Sequence, residues 1–540
     1  GVDELAPNEL MNAILKAPVD LLWNGGIGTY VKASSESHAD VGDRANNALR
    51  VNGDELRCKT VGEGGNLGFT QLGRIEAAHV GLLLNTDFID NSAGVDTSDH
   101  EVNIKILLND AMRRNELTQP KRNALLAKMT DEVGELVLTD NYRQNQAISL
   151  MESMSVKRLG SKQHFIRTLE SQGLLDRQLE YLPSDTEFAE RKARGQGLTR
   201  PELSILLSYA KIVIFQQLLE SDVPEDAHLA TELARYFPEP LRVRYAEHMQ
   251  RHRLRREIIA TAVTNSMVNR MGATFMMRMQ EDTGESAAQV AKAYAISREV
   301  LDARQIWAAI DGLDGKLPES AQIEALMLIW NLQRGMTRWL LNLPGQKLDI
   351  AACIHRYKAP MDQLRAGLAK WVTPGEQAQM RARAQHWTAL GFTPKPAAQL
   401  ASLPFLSSAL DIVDVALTRK LDVSDVAQVY FKLGDALHLG WLLDQIERLP
   451  VEGRWHAHAR GVMRDELQSQ QSALVAQVLS SGGKHGQVDG LVDQWLARDD
   501  ASMRYTLSMF ADMRNQRNMD YPTVSVAVRR LAQTVAADAT

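Results

Sequence analysis

The chain has 540 residues and a formal net charge of -6, and 44% of its residues are hydrophobic, 24% charged and 6% aromatic. This acidic balance excludes a general electrostatic attraction to nucleic acid or to anionic membranes. No apolar run approaches the roughly 18 residues that a membrane-crossing helix needs, so we expect no membrane partner. At about 150 residues per domain, the length predicts two to four structural units.

Cysteine usage indicates a reducing compartment. Cys58 and Cys353 are the two cysteines of the chain, and their distance in sequence indicates neither a disulfide framework nor a metal site. We therefore expect a cytoplasmic protein without a bound metal. Gly1 is not a natural initiator, so we expect the sequence to be cut from a longer protein.

The first 115 residues alternate predicted helices, short apolar strands and glycine-rich turns, a pattern typical of a parallel sheet. Strands are predicted at 19–23, 57–61 and 82–84, and helices at 8–16, 43–49, 69–78 and 98–114. Three strands are few for a stable sheet. We therefore interpret this part as the second half of a doubly wound, Rossmann-like domain.

After residue 115 the strand pattern stops and helical periodicity continues. Three Ser/Thr-x-x-Glu capping boxes open predicted helices, at Ser184, Thr199 and Thr373. Glycine and proline mark a predicted linker at 311–319 and a turn region at 394–404. The predicted fold class is mainly α, with an N-terminal partial α/β segment of parallel strands followed by a large all-α region. The predicted domains are 1–115, 116–311 and 320–540.

Each of the three predicted strands is followed by a turn rich in glycine and asparagine, at 24–29, 62–66 and 85–95. Glycine permits positive φ angles and a close approach of the backbone to a ligand. Open α/β sheets bind ligands beyond the carboxyl ends of their parallel strands. The sequence therefore predicts one ligand pocket that all three turns line.

Asn66 and Asn91 have two readings. Asparagine beside glycine often only tolerates a left-handed turn conformation. Alternatively, two carboxamides at neighbouring strand ends could hold the amide and the ribose of a nicotinamide nucleotide. Glu63, Asp87 and Asp90 are interpreted as turn caps with no role in proton transfer.

Ser98-Asp99-His100-Glu101 also has two readings, and both can hold at once. Structurally it is a capping box that opens a helix. Functionally, a helix N-terminus that carries a serine offers free N–H groups to a substrate carboxylate. His79 and His100 are interpreted as surface or capping histidines rather than as ligands.

Other motifs are weaker. The arginine-rich run at 251–256 is interpreted as a solvated helix face or an anchor for carboxylates, and the acidic chain makes a nucleic-acid partner unexpected. The sequence shows no Walker loop, zinc spacing or nucleophile elbow. Gly25-Gly26-Ile27-Gly28 has the wrong spacing for a dinucleotide fingerprint.

Together these segments resemble the glutamate dehydrogenases. Glu63-Gly64-Gly65-Asn66 is similar to the EGAN segment of that family, and residues 91–95 with Ser98 are similar to its NAGGV segment and following serine. The resemblance is closer to the large NAD-specific bacterial class, because it extends to residues 23–30 and to the helical segments at 176–183, 198–202 and 236–238.

The resemblance implies an NAD-dependent oxidoreductase that deaminates L-glutamate to 2-oxoglutarate and ammonia. It places Asn66 and Asn91 at the nicotinamide end of NAD. It also implies that the backbone of Val95 and the hydroxyl of Ser98 bind the side-chain carboxylate of glutamate. The remaining residues of the implied cofactor site are Asn24, Gly25, Gly26, Glu63, Gly64 and Gly65.

This sequence departs from the family pattern in two ways. Gly65 and Ser92 stand where the smaller enzymes carry alanine. This difference affects the shape of the pocket on the ribose side of the cofactor. In addition, no residue here matches the family's catalytic lysine and aspartate, its pyrophosphate loop or the acidic residue that selects NAD over NADP. We therefore expect no catalytic residue in this chain and no activity from the isolated 540 residues.

The helical region, from about residue 116 onward, has apolar faces but no site motif. We expect it to serve homo-oligomerisation or allosteric control, because so large an apolar-faced extension must bury its surface on something. The alternative function, from a different class, is a non-catalytic helical regulatory or oligomerisation module whose α/β segment binds no ligand.

Overall fold

The computed structural model describes residues 4–343, 345, 347–451, 453–481, 490–498, 501–516 and 519–537. The chain divides into two compact units, one of residues up to 281 with 286–291 and one of residues 282–285 with 292–540. The boundary between the units lies earlier in the chain than the predicted linker at 311–319. The three-domain division at 115 and 311–320 stays a prediction.

Four short strands lie in the described part of the first unit: β1 (Leu21–Asn24), β2 (Val31–Lys32), β3 (Val51–Asn52) and β4 (Thr60–Glu63). β1 pairs in parallel with β4, and β2 pairs in parallel with β3. β1 and β4 begin and end later than predicted. Their parallel direction confirms the α/β reading of this part.

The third predicted strand, at 82–84, is reduced to one residue. Leu83 makes a single parallel bridge to Thr60, with its N–H on the carbonyl of Lys59 at 3.0 Å and its own carbonyl accepting from Val61 at 3.0 Å. A left-handed Gly81 precedes it, and the buried polar Asn85 follows it. The chain therefore passes β4 in the predicted direction but leaves the ladder after one residue.

Five helices complete the described α/β part: α1 (Pro7–Leu15), α2 (His38–Val41), α3 (Gln71–His79), α4 (Asp87–Asp90) and α5 (Ser92–Arg113). The helix predicted at 43–49 is only a 3-10 turn at Arg44–Asn46. Another 3-10 turn, Gly53–Glu55, follows β3. The core of this part is built by Val31, Val51, Val61, Phe69, Leu82 and Leu84.

The rest of the first unit is helical in its described residues. Its elements are α6 (Gln119–Ser153), α7 (Leu159–Ser171), α8 (Asp185–Ala193), α9 (Arg200–Leu219), α10 (Thr231–Tyr236), α11 (Glu239–Arg242), α12 (Ala246–Gln250), α13 (Arg255–Met271), α14 (Phe275–Thr283) and α15 (Ala287–Val300). A 3-10 turn, Val223–Glu225, precedes α10. The last two helices cross the boundary between the units.

The predicted capping boxes open α8 and α9. Ser184 accepts from the N–H of Glu187 at 3.3 Å, and Glu187 accepts from the N–H of Ser184 at 2.6 Å. The N–H of Thr199 donates to Glu202 at 2.7 Å. α9 packs on α3, α6 and α13, which confirms that it is a core helix.

The second unit contains further helices in the described ranges. They are α16 (Ala303–Asp311), α17 (Glu319–Leu341), α18 (Ile350–Trp371), α19 (Pro374–Ala389), α20 (Pro394–Ser402), α21 (Ala409–Arg419), α22 (Val423–Ala436), α23 (Leu439–Arg448), α24 (Arg454–Ser480), α25 (Leu491–Leu496), α26 (Ala501–Arg514) and α27 (Tyr521–Ala537). The third capping box, Thr373 with Glu376, opens α19 as predicted.

The prediction of a turn region at 394–404 is wrong, because these residues form α20 and most of a 3-10 turn, Leu403–Leu406. Pro394 is the first residue of α20, where the missing N–H of proline costs no intrahelical hydrogen bond. Proline therefore marks the start of a helix here rather than a loop. The fold class itself is confirmed: parallel strands near the N-terminus, followed by a large all-α region.

One helix in the described ranges, α9, is long and apolar enough to cross a membrane, and a bent pair, α20 with α21, would be at most a second. The expectation that no segment reaches this threshold is therefore not met by α9. Half of its apolar window is buried within the protein, however. Such burial is also typical of the core helix of a soluble protein.

Candidate functional site

The turns that follow β1, β4 and Leu83 meet at the carboxyl end of the parallel strands. The backbone carbonyl of Asn24 accepts from the N–H groups of Gly64 and Gly65, at 2.8 and 3.1 Å. The side-chain amide of Asn91 donates to the amide oxygen of Asn66 at 2.5 Å. The structure thus brings together the three turns that the sequence singled out.

Glycine is required here by close packing against β1 and the turn that follows it, rather than by positive φ. A Cβ atom on Gly64 would lie 2.6 Å from the ring of Trp23, and one on Gly65 would lie 2.7 Å from the carbonyl oxygen of Gly26. The residue of this turn with a positive φ, of 58°, is instead Leu67. That conformation costs a residue with a Cβ atom about 1–2 kcal/mol.

Two carboxylates below the second turn hold it in place. Asp87 accepts from the N–H of Leu67 at 2.7 Å, and Asp90 accepts from the N–H of Glu63 at 3.0 Å. Both aspartates are therefore turn caps, as predicted. Burial raises the pKa of Asp90, which has one hydrogen-bond partner on each carboxylate oxygen.

Glu63 is buried beneath the turn instead of facing a cofactor. Its two oxygens accept from Arg74 at 2.6 and 2.9 Å, and one also accepts from the N–H of Phe69 at 3.2 Å. Its side chain is only 1% exposed. Burial raises the pKa of Glu63, and the Arg74 guanidinium opposes that shift. Glu63 therefore shapes the site through the backbone of the turn.

Ser98 does not cap a helix, so the capping-box prediction at 98–101 is wrong. α5 begins at Ser92, and Ser98 lies roughly 9 Å further along its axis. The hydroxyl of Ser98 donates back to the carbonyl of Gly94 at 3.4 Å. Asn141 of α6 contacts that end, donating to the carbonyl of Ile89 at 2.9 Å and to the hydroxyl of Ser92 at 3.0 Å.

The first turn of the helix therefore begins at Ser92, not beside Ser98, and the N–H of Gly94 already donates to the carbonyl of Asn91 at 3.2 Å. Val95 and Ser98 are three residues apart and share the exposed face of α5, where Val95 is 67% exposed. Asn66 and Gly64 are also exposed. The site is an open wall of turns and one helix face.

His100 lies on the opposite, buried face of α5 and well past its first turn, so its interpretation as a surface or capping histidine is wrong. It is 2% exposed and stacks on Tyr236 with ring centroids 4.3 Å apart. Burial lowers the pKa of His100 to about 4, so the ring is neutral near neutral pH. Asn103 donates to the hydroxyl of Tyr236 at 2.8 Å, which ties the same face of α5 to α10.

The arginine-rich run at 251–256 anchors carboxylates, as predicted. Arg251 lies 3.6 Å from Asp110, and Arg256 pairs with Glu225. Within the described residues, no group of three or more His, Cys, Asp or Glu side chains could hold a metal ion. Neither feature supplies a second candidate site.

Comparison with known proteins agrees with this geometry. Residues 1–151 match the family description "Bacterial NAD-glutamate dehydrogenase, catalytic domain", and residues 195–533 match "Glutamate dehydrogenase, C-terminal". The second match alone covers more than half of the chain. The chain belongs to the glutamate dehydrogenase family.

Three curated relatives, all named NAD-specific glutamate dehydrogenase, match 98% of the chain. The protein of Pseudomonas aeruginosa is 45% identical over 529 residues, that of Halomonas elongata 43% over 529 residues, and that of Mycobacterium tuberculosis 37% over 531 residues. The match covers 33% of each relative. This glutamate dehydrogenase chain thus spans about a third of the length of the curated relatives it matches.

The chemistry of the wall fits a nicotinamide nucleotide. A nicotinamide amide needs neutral donors and acceptors, and the exposed carboxamide of Asn66 and the exposed backbone of Gly25 and Gly26 supply them. The amide nitrogen of Asn24 is buried without a hydrogen-bond partner in the described structure. Asn24 therefore keeps an unused donor at the strand end, whereas both oxygens of Glu63 already accept hydrogen bonds.

Sequence reasoning assigned no supporting role to four residues that hold this wall of the glutamate dehydrogenase chain: Arg74, Asn85, Asn141 and Arg200. Arg74 carried a usable signal, because a single arginine among the apolar residues of α3 requires a buried anion. Asn141 and Asn145 are four residues apart and so share one face of α6. Asn85 and Arg200 are 115 residues apart, and no local pattern joins them.

Proposed function

We propose that this chain forms the cofactor- and substrate-orienting wall of an NAD-dependent glutamate dehydrogenase. The observation that carries the proposal is the contact between the Asn66 and Asn91 carboxamides, at 2.5 Å, beside glycine turns at the carboxyl end of parallel strands. The relatives' printed names supply the nucleotide and the substrate. The reaction class is oxidative deamination of L-glutamate to 2-oxoglutarate and ammonia.

NAD, when bound, accepts the hydride that leaves the Cα atom of L-glutamate. Asn66 and Asn91 orient the nicotinamide amide, and the backbone of Gly25, Gly26 and Gly64 lets the nucleotide approach the strand ends. Holding two reactants in the reactive geometry can supply roughly 7–11 kcal/mol of a barrier. Orientation is therefore the contribution of these residues, and they transfer no proton.

Val95 and Ser98 face the side-chain carboxylate of the substrate. Because Ser98 lies within α5, its backbone N–H donates within the helix, and only its hydroxyl is available to bind the substrate carboxylate. That hydroxyl makes a long bond of 3.4 Å to the carbonyl of Gly94. Rotation about χ1 exchanges this weak bond for a charge-assisted bond to a carboxylate.

We also propose that the 540 residues alone do not turn over glutamate, because none of them matches the catalytic lysine and aspartate that the resemblance implies. NADH absorbance in a mixture of the chain, NAD and L-glutamate tests this, and we expect no increase. Steady NADH formation would overturn the proposal. Activity is expected from a chain of the relatives' full length that contains these residues, called the full-length enzyme below.

The wall itself is tested by binding. We expect NADH fluorescence to report binding to the full-length enzyme that is at least tenfold weaker in Asn66→Ala and in Asn91→Ala. Asn123→Ala removes an exposed asparagine of α6 and is the matched control. Unchanged NADH affinity in both site variants would favour the alternative function, a helical module whose α/β part holds no ligand.

We propose that the helical region serves homo-oligomerisation or allosteric control. The connection between α7 and α8 supports an interface, because Leu174, Leu179 and Tyr181 are 49%, 72% and 47% exposed. Light scattering of the full-length enzyme and of its Leu179→Asp variant tests assembly. An unchanged mass would remove this surface from the interface. The free thiols of Cys58 and Cys353 agree with a cytoplasmic location, which stays a proposal.

A further inference from the structure

The first turn of α9 packs directly on the segment that follows Leu83. The hydroxyl of Thr86 donates to the carbonyl of Pro201 at 3.1 Å, and the N–H of Thr86 donates to the hydroxyl of Ser204 at 3.5 Å. Thr86 is 3% exposed and Ser204 is fully buried. One helical turn therefore holds Thr86 through both its backbone and its side chain.

Arg200, in the same turn, extends this contact to the end of the strand. Its Nε atom donates to the side-chain oxygen of Asn85 at 3.1 Å, and its Nη1 atom donates to Ser149 and to Glu152, both at 2.9 Å. The side chain of Arg200 is 12% exposed, and Asn85 is 6% exposed. The planar guanidinium thus joins α6 to the carboxyl end of the third parallel segment.

From Asn85 the hydrogen bonds continue through Asp90 to the wall of turns. The amide nitrogen of Asn85 donates to one oxygen of Asp90 at 2.9 Å, and the other oxygen of Asp90 accepts from the N–H of Glu63 at 3.0 Å. Asp90 immediately precedes Asn91. Two side chains, Asn85 and Asp90, therefore connect Arg200 to the backbone of Glu63, and Asp90 is the neighbour of Asn91 in the chain.

We propose that Arg200 is a positioning residue through which the helical region sets the geometry of the wall that carries Asn66 and Asn91. It touches neither cofactor nor substrate, and acts by fixing Asn85 and Asp90. The proposal rests on the proposed function, because positioning has a catalytic consequence only if the wall binds NAD. It goes beyond that function by assigning a catalytic contribution to the helical region.

The charge of Arg200 matters as well as its shape. Burial raises the pKa of Asp90, and the nearby Arg200 cation favours the ionised carboxylate that accepts from Glu63. Removing the cation therefore weakens Asp90 as an acceptor. It also takes the donor from the side-chain oxygen of Asn85, which is then held only through its amide nitrogen, by Asp90 and by Asn145 at 2.6 Å. Arg200→Lys keeps the positive charge but loses the planar guanidinium. One ammonium group cannot reproduce the fixed geometry of the Nε and Nη1 donors.

Hydrogen exchange of the 540-residue chain tests the network without any activity. We expect the amide of Glu63 to exchange about tenfold faster in Arg200→Ala than in the unaltered chain. The amide of Gly73, which donates to the Thr70 hydroxyl at 2.9 Å, is an internal reference and should not change. Arg194→Ala, which removes an exposed arginine of the α8 C-terminus, is the matched control.

Kinetics of the full-length enzyme test the catalytic consequence. We expect Arg200→Ala to lower kcat about tenfold to a hundredfold, as a misplacement of about 1 Å does, with the KM for glutamate changed less than threefold. Arg200→Lys should recover part of kcat. A merely structural role would instead lower the unfolding temperature and leave kcat per folded enzyme unchanged, and that result would overturn the proposal.

A second variant covers the case in which Arg200→Ala does not fold. Glu152→Gln removes the charged partner of Arg200 on α6 while keeping the shape, and should give the same changes to a smaller extent. If the unaltered full-length enzyme forms no NADH from glutamate, the proposed function fails. The exchange of the Glu63 amide still shows in that case whether Arg200 holds the strand end, so the two failures are distinguishable.

Discussion

Arg74 and Glu63 form a buried bidentate ion pair that joins α3 to the end of β4. The two nitrogen–oxygen distances are 2.6 and 2.9 Å, and the side chains are 3% and 1% exposed. Asp87 lies 3.3 Å from the same guanidinium and caps the N–H of Leu67. The glycine turn that would face NAD is therefore built on a paired charge rather than on apolar packing.

Removing one member of this pair should be strongly destabilising. We expect Arg74→Ala to lower the free energy of unfolding by about 3–5 kcal/mol, because it leaves a buried, uncompensated carboxylate. Urea denaturation measures the change. Lys105→Ala, which breaks an exposed pair with Glu101, should cost less than about 1 kcal/mol.

The same measurement on a double variant checks the physical reason. Glu63→Leu combined with Arg74→Met replaces both charges by apolar groups, so we expect it to be more stable than either single variant. A double variant as unstable as Arg74→Ala would show that either the shape of the pair or the Asp87 carboxylate, which loses the guanidinium 3.3 Å away, dominates at this position.

The buried face of α5 should make stability depend on pH. Burial, and then the neighbouring carboxylates of Asp140 and Asp99, raise the pKa of Asp96 from 3.8 to about 7. The folded state therefore holds this proton more tightly than the unfolded state between those values. The stability contributed by the protonated carboxyl is full below about pH 4 and is lost as the pH rises to 7.

Asp96→Asn should remove this loss. We expect the free energy of unfolding of the variant, relative to the unaltered protein, to increase steadily between pH 4 and pH 7 and to stay constant above it. Comparison with the unaltered protein cancels His100, whose lowered pKa acts in the opposite direction over this range. Asp131→Asn, on the exposed face of α6, is the control, and a parallel pH profile in Asp96→Asn would contradict the expectation.

Ser98→Ala separates the two readings of the serine on α5. Because Ser98 lies inside the helix and is exposed, we expect a change in stability within about 0.5 kcal/mol. In the full-length enzyme the KM for glutamate should rise about tenfold, through loss of the hydroxyl. Ser184→Ala removes a cap that the structure does contain and should cost about 0.5–2 kcal/mol. Equal losses in the two variants would restore the capping role of Ser98.

Leu67 stores backbone strain in the turn after β4. Its φ is 58° and its side chain is 64% exposed. Leu67→Gly should remove the strain but increase the entropy of the unfolded state. We therefore expect a net stabilisation of up to about 1 kcal/mol. Thermal unfolding measures the difference. Leu138→Gly, at an equally exposed position within α6, should instead destabilise by about 1 kcal/mol. A loss of stability in both variants would show that Leu67 is not strained.

Local signals in the sequence were sufficient for several features. The parallel direction of β1 and β4, the capping boxes at Ser184, Thr199 and Thr373 and the turn caps at Asp87 and Asp90 all follow from patterns a few residues long. The meeting of the three turns also follows, because parallel strands end at the same side of a sheet. The family resemblance rested on the same short motifs.

The tertiary structure alone decided where α5 begins and what holds the wall. The sequence around Ser98 fits a helix start, yet α5 begins at Ser92, whose hydroxyl accepts from the carboxamide of Asn141 on another helix. The contact of Arg200 with Asn85 likewise joins residues 115 positions apart. Such contacts depend on how helices pack, whereas periodicity and capping patterns report only hydrogen bonds between near neighbours in the chain. Sequence therefore determined the fold class and the turns at the strand ends of this glutamate dehydrogenase chain. Packing determined the exact bounds of elements such as α5 and which distant side chains support the turns.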